Sequence, residues 1–270
     1  MEPVRRPRGR PREDKAETKT NQSLEKALGL LKALSAHDGM TLTDLSQSAA
    51  LPPSTAHRLL GTLAAHDLVA FDETTQTWTI GIEALRIGMA FQRRNNILAA
   101  GRPAMTALME ATGETVNMAM LDKFQVVFVT QVECEAPIRA FFRIGERRHA
   151  YASGIGKALL AHLPPARLDA LLRSETFARL TPATLCTPAD LRADLEVIRQ
   201  RGWSLDNEEA TPGMRCIAAP VFNAYGEARA GISLSGPASR ISPDRIETLA
   251  VQVKTAADAI SQRIGGRLLT

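Results

Sequence analysis

Ala50-Leu51-Pro52-Pro53-Ser54-Thr55-Ala56-His57-Arg58-Leu59-Leu60 reads as a turn running into the start of a helix. Pro53 suits a first helical turn, where its missing N–H is no loss, and Ser54 or Thr55 places a side-chain oxygen near the helix start. Leu59, Leu60 and Leu63 then share one apolar face. Upstream, Ser23 can cap a helix with the stripe Leu24, Ala27, Leu28, Leu30, Leu31 and Leu34, which His37-Asp38-Gly39 ends. Thr41-Leu42-Thr43-Asp44 has the form of a capping box and opens a short second helix with Leu42, Leu45 and Ala49 inward. Downstream, Leu68-Val69-Ala70-Phe71, a polar turn and Thr77-Trp78-Thr79-Ile80 make a hairpin. Three helices and then a hairpin is the order of a winged helix-turn-helix, whose third helix lies in the DNA major groove.

Beyond Gly81 the pattern changes. Ile82, Leu85, Ile87, Met89 and Phe91 alternate with Arg86, Arg93 and Arg94 in a connecting helix, and a second helix is expected from about Ile97 to Ala111. The remainder alternates between strands and helices. Thr115 to Leu121 and Gln125 to Val132 read as a hairpin, Ile138 to Ile144 as a further strand, and Ile217 to Phe222 and Ala228 to Leu234 as two more. Helices are expected after Gly156, from Pro164 to Leu172, from Thr187-Pro188-Ala189-Asp190 to about Arg201, and from Ser242-Pro243-Asp244 onward.

Composition narrows the function classes. The 270 residues are 44% hydrophobic and 23% charged, enough apolar surface for a core, so global disorder is excluded. No run approaches the ~20 apolar residues of a membrane span, and the Arg-rich start lacks the apolar segment of a secretory signal. Three scattered cysteines, Cys134, Cys186 and Cys216, argue against a disulfide framework or a structural zinc site and fit a cytoplasmic protein. The net charge of +4 conceals an asymmetry. Residues 1–20 form a basic tail, expected to be disordered, whereas residues 21–80 are acidic on balance, so contact with DNA must draw phosphate attraction from the tail. Pro7-Arg8-Gly9-Arg10-Pro11 resembles the core of AT-hook peptides, which makes Arg8 and Arg10 minor-groove candidates.

Five stretches carry a wider resemblance: residues 51–60, Ala152-Ser153-Gly154-Ile155-Gly156-Lys157-Ala158, Leu205-Asp206-Asn207-Glu208-Glu209, Gly213-Met214-Arg215-Cys216-Ile217-Ala218-Ala219-Pro220, and Ser233-Leu234-Ser235-Gly236-Pro237. In this order and spacing the chain resembles the IclR family of bacterial transcription regulators from about Asn21 to Gly265. The resemblance implies an α+β protein. A winged helix-turn-helix (21–81) and a linker helix (82–96) would lead to a GAF-like effector domain (97–267), a mostly antiparallel sheet flanked by helices. It also implies homodimers or homotetramers on a palindromic double-stranded operator, with no cofactor.

The candidate DNA-binding residues are Pro53, Ser54, Thr55, His57 and Arg58 on the third helix and Thr75 and Gln76 at the wing tip. Arg58 can pair bidentately with guanine, a contact worth ~1–3 kcal/mol of discrimination. Bland alternatives are a helix cap, a solvated charge and turn propensity. The effector candidates are Gly154, Ile155, Asp206, Cys216, Ser233 and Ser235, and their pattern looks like the glyoxylate- and pyruvate-sensing subgroup. Backbone amides at a helix start attract a carboxylate, and glycines there let a ligand approach closely. Lys157 is followed by Ala158 and Tyr151 precedes Gly156 by five, so this is no Walker phosphate loop. Asp206 would repel an acid anion unless it is protonated or meets a hydrated aldehyde, which favours glyoxylate. A larger aromatic acid is the alternative effector. Catalysis by Cys216 or a serine lacks a nucleophile motif near His149 or His162, and a purely architectural DNA binder would leave the long C-terminal part idle.

Overall fold

A computed structural model describes residues 21–94 and 96–266. Arg8, Arg10 and the rest of the basic tail lie outside the described residues. The chain divides into two compact units between Arg93 and Arg94.

The first unit contains α1 (Gln22–Leu34), α2 (Leu42–Ser48), α3 (Pro53–Ala64), β1 (Val69–Asp72), β2 (Thr77–Ile80) and α4 (Ile82–Arg94). Leu30, Leu34, Leu45, Leu59, Leu60 and Trp78 form its core. Complete burial of one such leucine contributes ~1.5–3 kcal/mol, so these six hold a small three-helix body together. Thr41 caps α2 through its hydroxyl, which accepts from the Asp44 N–H at 3.2 Å and donates to the Asp44 carboxylate at 2.7 Å. Met40 and Trp78 exchange backbone hydrogen bonds, which fastens the wing to the helices. Gly81 closes the wing where only glycine fits, because a Cβ would stand 2.2 Å from the Asp67 carbonyl oxygen.

One expected cap is corrected and one bland alternative is removed. Asn21, not Ser23, caps α1, because its side chain reaches the N–H groups of both Ser23 and Leu24. Neither Ser54 nor Thr55 caps α3; the cap position is Pro52, and no side chain bonds the first amides. The hydroxyl of Ser54 is therefore not consumed by the helix.

The second unit contains α5 (Asn96–Thr112), β3 (Thr115–Asp122), β4 (Gln125–Val132), β5 (Arg147–His149), α6 (Gly154–Leu160), α7 (Pro165–Ser174), α8 (Pro188–Arg201), β6 (Ser204–Asn207), β7 (Met214–Phe222), β8 (Ala228–Pro237) and α9 (Ile246–Arg263). Its six strands pair antiparallel throughout in the order β5-β4-β3-β8-β7-β6. Alternation along the strands separates two layers. Val116, Met118, Ile217, Ile232 and Leu234 pack on Met105 of α5 and Val253 and Ile260 of α9. Val126, Phe128 and Ala218 belong instead to the core built with Ile155 and Leu159 of α6 and Leu195 of α8.

Ile138 to Ile144 is not a strand. Ile138, Phe141 and Ile144 are exposed, and no neighbouring strand takes up their backbone. The segment is an irregular loop, pinned where Arg240 donates to the Ile138 carbonyl at 2.9 Å and Gly145 N–H donates to the Phe128 carbonyl at 2.7 Å. The strand of this region follows the loop, at Arg147–His149. Ser242 does not open the last helix directly either. A 3-10 turn, Pro243–Arg245, comes first and carries no side-chain cap.

Candidate functional site

A cavity of about 310 Å³ opens in the second unit on the α6 side of the sheet. The pairing register explains how its floor is made. Asp206 on β6 faces Cys216 on β7, and Cys216 faces Ser235 on β8. Three of the sequence candidates thus share one cross-strand row, and Ser233 follows two residues along on the same face. Gly154 and Ile155 come from the start of α6, and all six effector candidates line the cavity.

The floor is polar and mutually bonded. The Cys216 Sγ lies 2.8 Å from the Ser235 Oγ, and the Ser235 and Ser233 hydroxyls are 3.2 Å apart. Asn117, buried on β3, donates to the Ser235 Oγ at 3.2 Å. Burial pushes the Cys216 thiol up to about 12, so it stays protonated and serves as a weak donor rather than a nucleophile.

Asp206 is 5% exposed, and its Oδ1 accepts from the Glu209 N–H at 2.8 Å. Burial, then the charge of Glu209, raises its pKa to about 7. At neutral pH Asp206 therefore stands between a donor and an acceptor. Behind it lies a buried ion cluster. Lys157, 1% exposed on α6, donates to the Leu205 carbonyl at 2.6 Å and to Glu209 at 2.5 Å, with Asp194 at 2.8 Å. This cluster fixes the β6 end to α6, and the Ser204 hydroxyl adds a bond to the Gly154 carbonyl at 2.6 Å.

At the start of α6 the Ser153 side chain accepts from Gly156 N–H at 3.4 Å. No backbone acceptor among the described residues takes the Gly154 and Ile155 N–H groups, which border the cavity. The two glycines serve packing more than ligand approach. A Cβ on Gly156 would lie 2.2 Å from the Ala150 carbonyl oxygen, and one on Gly154 would meet Cys216 at 3.2 Å. Opposite the floor the wall is apolar and cationic. Phe128 and Phe142 stack with centroids 4.4 Å apart, and the Arg148 guanidinium sits 5.3 Å from the Phe142 ring centre. Arg139 joins it at the rim, bonded to Glu133 at 3.1 Å. Arg147, by contrast, pairs with Asp122 and does not line the cavity.

The family model of the bacterial transcriptional regulator IclR C-terminal domain matches residues 89–262, and that of the IclR helix-turn-helix domain matches residues 23–73. The chain belongs to the IclR family. It is 47% identical over 257 residues to the HTH-type transcriptional regulator BhcR of Paracoccus denitrificans, covering 95% of this chain and 92% of that protein. It is 40% identical to the transcriptional repressor IclR of Escherichia coli, over 91% of this chain and 90% of the repressor. Among solved structures, the crystal structure of Thermotoga maritima IclR superposes with a TM-score of 0.75 at 28% identity, over 90% of this chain and 99% of that one.

In this IclR-family chain the second candidate surface lies on the helix-turn-helix. α3 buries Ala56, Leu59, Leu60 and Leu63 and exposes Pro53, Ser54, His57 and Arg58, with Thr55 half-buried between them. Arg58 has no carboxylate partner among the described residues. His57 leans edge-on toward Trp78, with ring centroids 6.4 Å apart, so the wing already takes part of its surface. At the wing tip, Thr75 bonds Thr77 at 2.7 Å and Gln76 donates to the Glu73 carbonyl at 2.9 Å. Both side chains therefore close the turn itself. No described helix is long and apolar enough to cross a membrane.

Several contributors escaped the sequence candidates. Asn117 stands between Val116 and Met118 in a strand-like run, a lone polar residue whose alternation gave a usable signal. Lys157, within Gly156-Lys157-Ala158-Leu159, is a cation in an apolar helix, which calls for a buried partner. Glu209 gave none, since its role depends on which strands become neighbours, whereas Arg139, Arg143, Arg147 and Arg148 stand out in the sequence as arginines able to steer anions, with a solvated or interface face as the alternative.

Proposed function

We propose that this protein binds an operator through α3 and that a small 2-oxo acid in the second unit controls the binding, glyoxylate first and pyruvate second. The observation that supports this reading most is the Asp206–Cys216–Ser235 row with Asp206 titrating near neutrality. A protonated Asp206 can donate to a ligand carboxylate, and an ionised one can accept from the two hydroxyls of a hydrated aldehyde. Ser233, Ser235 and the amides of Gly154 and Ile155 supply the remaining donors, and Arg139 and Arg148 favour an anion. No histidine lines the cavity, and the Cys216 thiol is protonated, which speaks for a sensor rather than a hydrolase.

A larger aromatic acid has one observation in its favour. Water occupies ~30 Å³ per molecule, so a cavity of about 310 Å³ is generous for a two-carbon acid, and Phe128, Phe141 and Phe142 would flank a ring. Calorimetric titration of glyoxylate, pyruvate and benzoate separates the readings. Saturable heat from the first two supports the 2-oxo acid. Tight benzoate binding with silence from both others overturns it.

The DNA contacts assigned to Pro53, Ser54, Thr55, His57 and Arg58 fit a recognition helix, with Thr75 and Gln76, whose side chains brace the wing turn, as phosphate or minor-groove contacts beside it. Arg8 and Arg10 would add minor-groove contact. A homodimer is part of the same reading: Leu24 and Leu28 of α1 and Ile82 and Leu85 of α4 are large exposed apolar residues that a second copy would cover. Two copies would match a palindromic operator with half-sites about one helical turn apart.

A further inference from the structure

A second cavity, of about 340 Å³, shares no lining residue with the first. It lies in the second unit where the last turn of α8, the far end of β7, the turn after α6 and the middle of α9 meet. We propose that it is a binding site for a small organic dianion, one carrying phosphate or carboxylate groups, held by Arg201 and Lys254.

The charges are uneven. Arg199, Arg201 and Lys254 line the cavity against one carboxylate, Asp258. Asp258 is bonded to Lys254 at 2.7 Å, and Arg199 pairs with Glu196, which lies outside the lining. Arg201 has no carboxylate within pairing distance among the described residues. Its Nε donates to the Trp203 carbonyl at 2.7 Å and its guanidinium carbon sits 3.7 Å from the Trp203 ring centre, so the fork is held in place, and its terminal N–H groups have no hydrogen-bond partner among the described residues. Asp194 and Glu247 act on it only at longer range.

His162 closes one side of the cavity as a neutral ring. Its Nε2 is enclosed by protein, so the ring contributes wall and not a donor to the cavity. Burial and the Arg199 charge draw its pKa down to about 4, so it adds no charge beside Arg201 and Lys254. Cations at the end of α8 answer the helix dipole on their own account. The dipole does not explain Lys254 arriving from α9. Gly202 makes the convergence possible, since a Cβ there would stand 3.1 Å from the Lys254 side chain. Phe222, edge-on to His162 at 5.0 Å, gives the cavity an apolar wall for a carbon skeleton. β7 carries Cys216 at one cavity and Phe222 at the other, so the sites are joined by one strand.

The test is calorimetric titration of the full-length protein with inorganic phosphate and with succinate at constant ionic strength, on wild type, Arg201→Gln, Lys254→Met and Asp206→Asn. Saturable binding of phosphate, succinate or both is expected, and which one binds tells the phosphoryl source from the carboxylate source. R201Q should weaken it about tenfold, the loss expected for one charge-assisted hydrogen bond. K254M alters a half-exposed side chain, so it should fold normally and weaken binding similarly. D206N should leave it unchanged. Absence of saturable binding, equal affinity in wild type and K254M, or loss confined to D206N would overturn the proposal.

Discussion

Asp206 carries the sharpest single-residue consequence. Its pKa is near 7 in the folded chain against an ordinary carboxylate value when unfolded, so the native state holds an extra proton between about pH 4 and 7. The stability this provides is complete below the unfolded pKa and is lost as pH rises through about 7. Thermal or urea unfolding of the ligand-free protein should therefore show stability falling across that window, by at most ~1.4 kcal/mol per pH unit for one proton. Glu209, also raised by burial, works in the same sense, and Asp206→Asn should flatten only the Asp206 share. An unchanged slope in D206N would assign the titration elsewhere. Arg58 gives the second test at this scale. Arg58→Gln should cost ~1–3 kcal/mol of affinity for a specific duplex and much less for a scrambled one, read by fluorescence anisotropy. Equal losses on both would make Arg58 a phosphate contact. The residue types of the cavity floor were legible because two serines spaced by two share a face whatever the fold. A protonated Asp206 was one of the sequence options, but its titration near neutrality was not legible, because it depends first on burial and then on the Glu209 charge beside it.

Among the elements, those closed by local chemistry were the legible ones. Thr187-Pro188-Ala189-Asp190 announces α8, and in the structure Thr187 accepts from the Asp190 N–H at 3.1 Å and donates to its carboxylate at 2.6 Å. The segment Ile138 to Ile144 has the composition of a strand, yet its apolar residues divide between the cavity wall and solvent. Strand composition does not tell a sheet partner from a ligand wall. β6 was missed for the opposite reason: four residues, two of them Asp206 and Asn207, look like a turn until β7 pairs with them. The α6 start offers a direct test. Gly156→Ala puts a methyl 2.2 Å from the Ala150 carbonyl oxygen, so the strand-to-helix turn must open. A stability loss of ~1–3 kcal/mol is expected in chemical denaturation, as for an overpacked core. A neutral substitution would mean that the turn yields without consequence for the cavity.

At the scale of the whole molecule, one unit carries the helix-turn-helix and the other the cavity proposed to hold the effector, in a chain of the IclR family. Ligand control requires that the effector bind the DNA-competent and DNA-incompetent arrangements with different affinity; tight binding alone shifts nothing. The most direct test of this account is the affinity for duplexes from the protein's own upstream region, measured with and without saturating glyoxylate in wild type and D206N. The account predicts a wild-type change of roughly five- to 150-fold, the usual span of coupling between two sites, and little or none in D206N. A wild-type affinity that stays constant while calorimetry shows glyoxylate bound would contradict it.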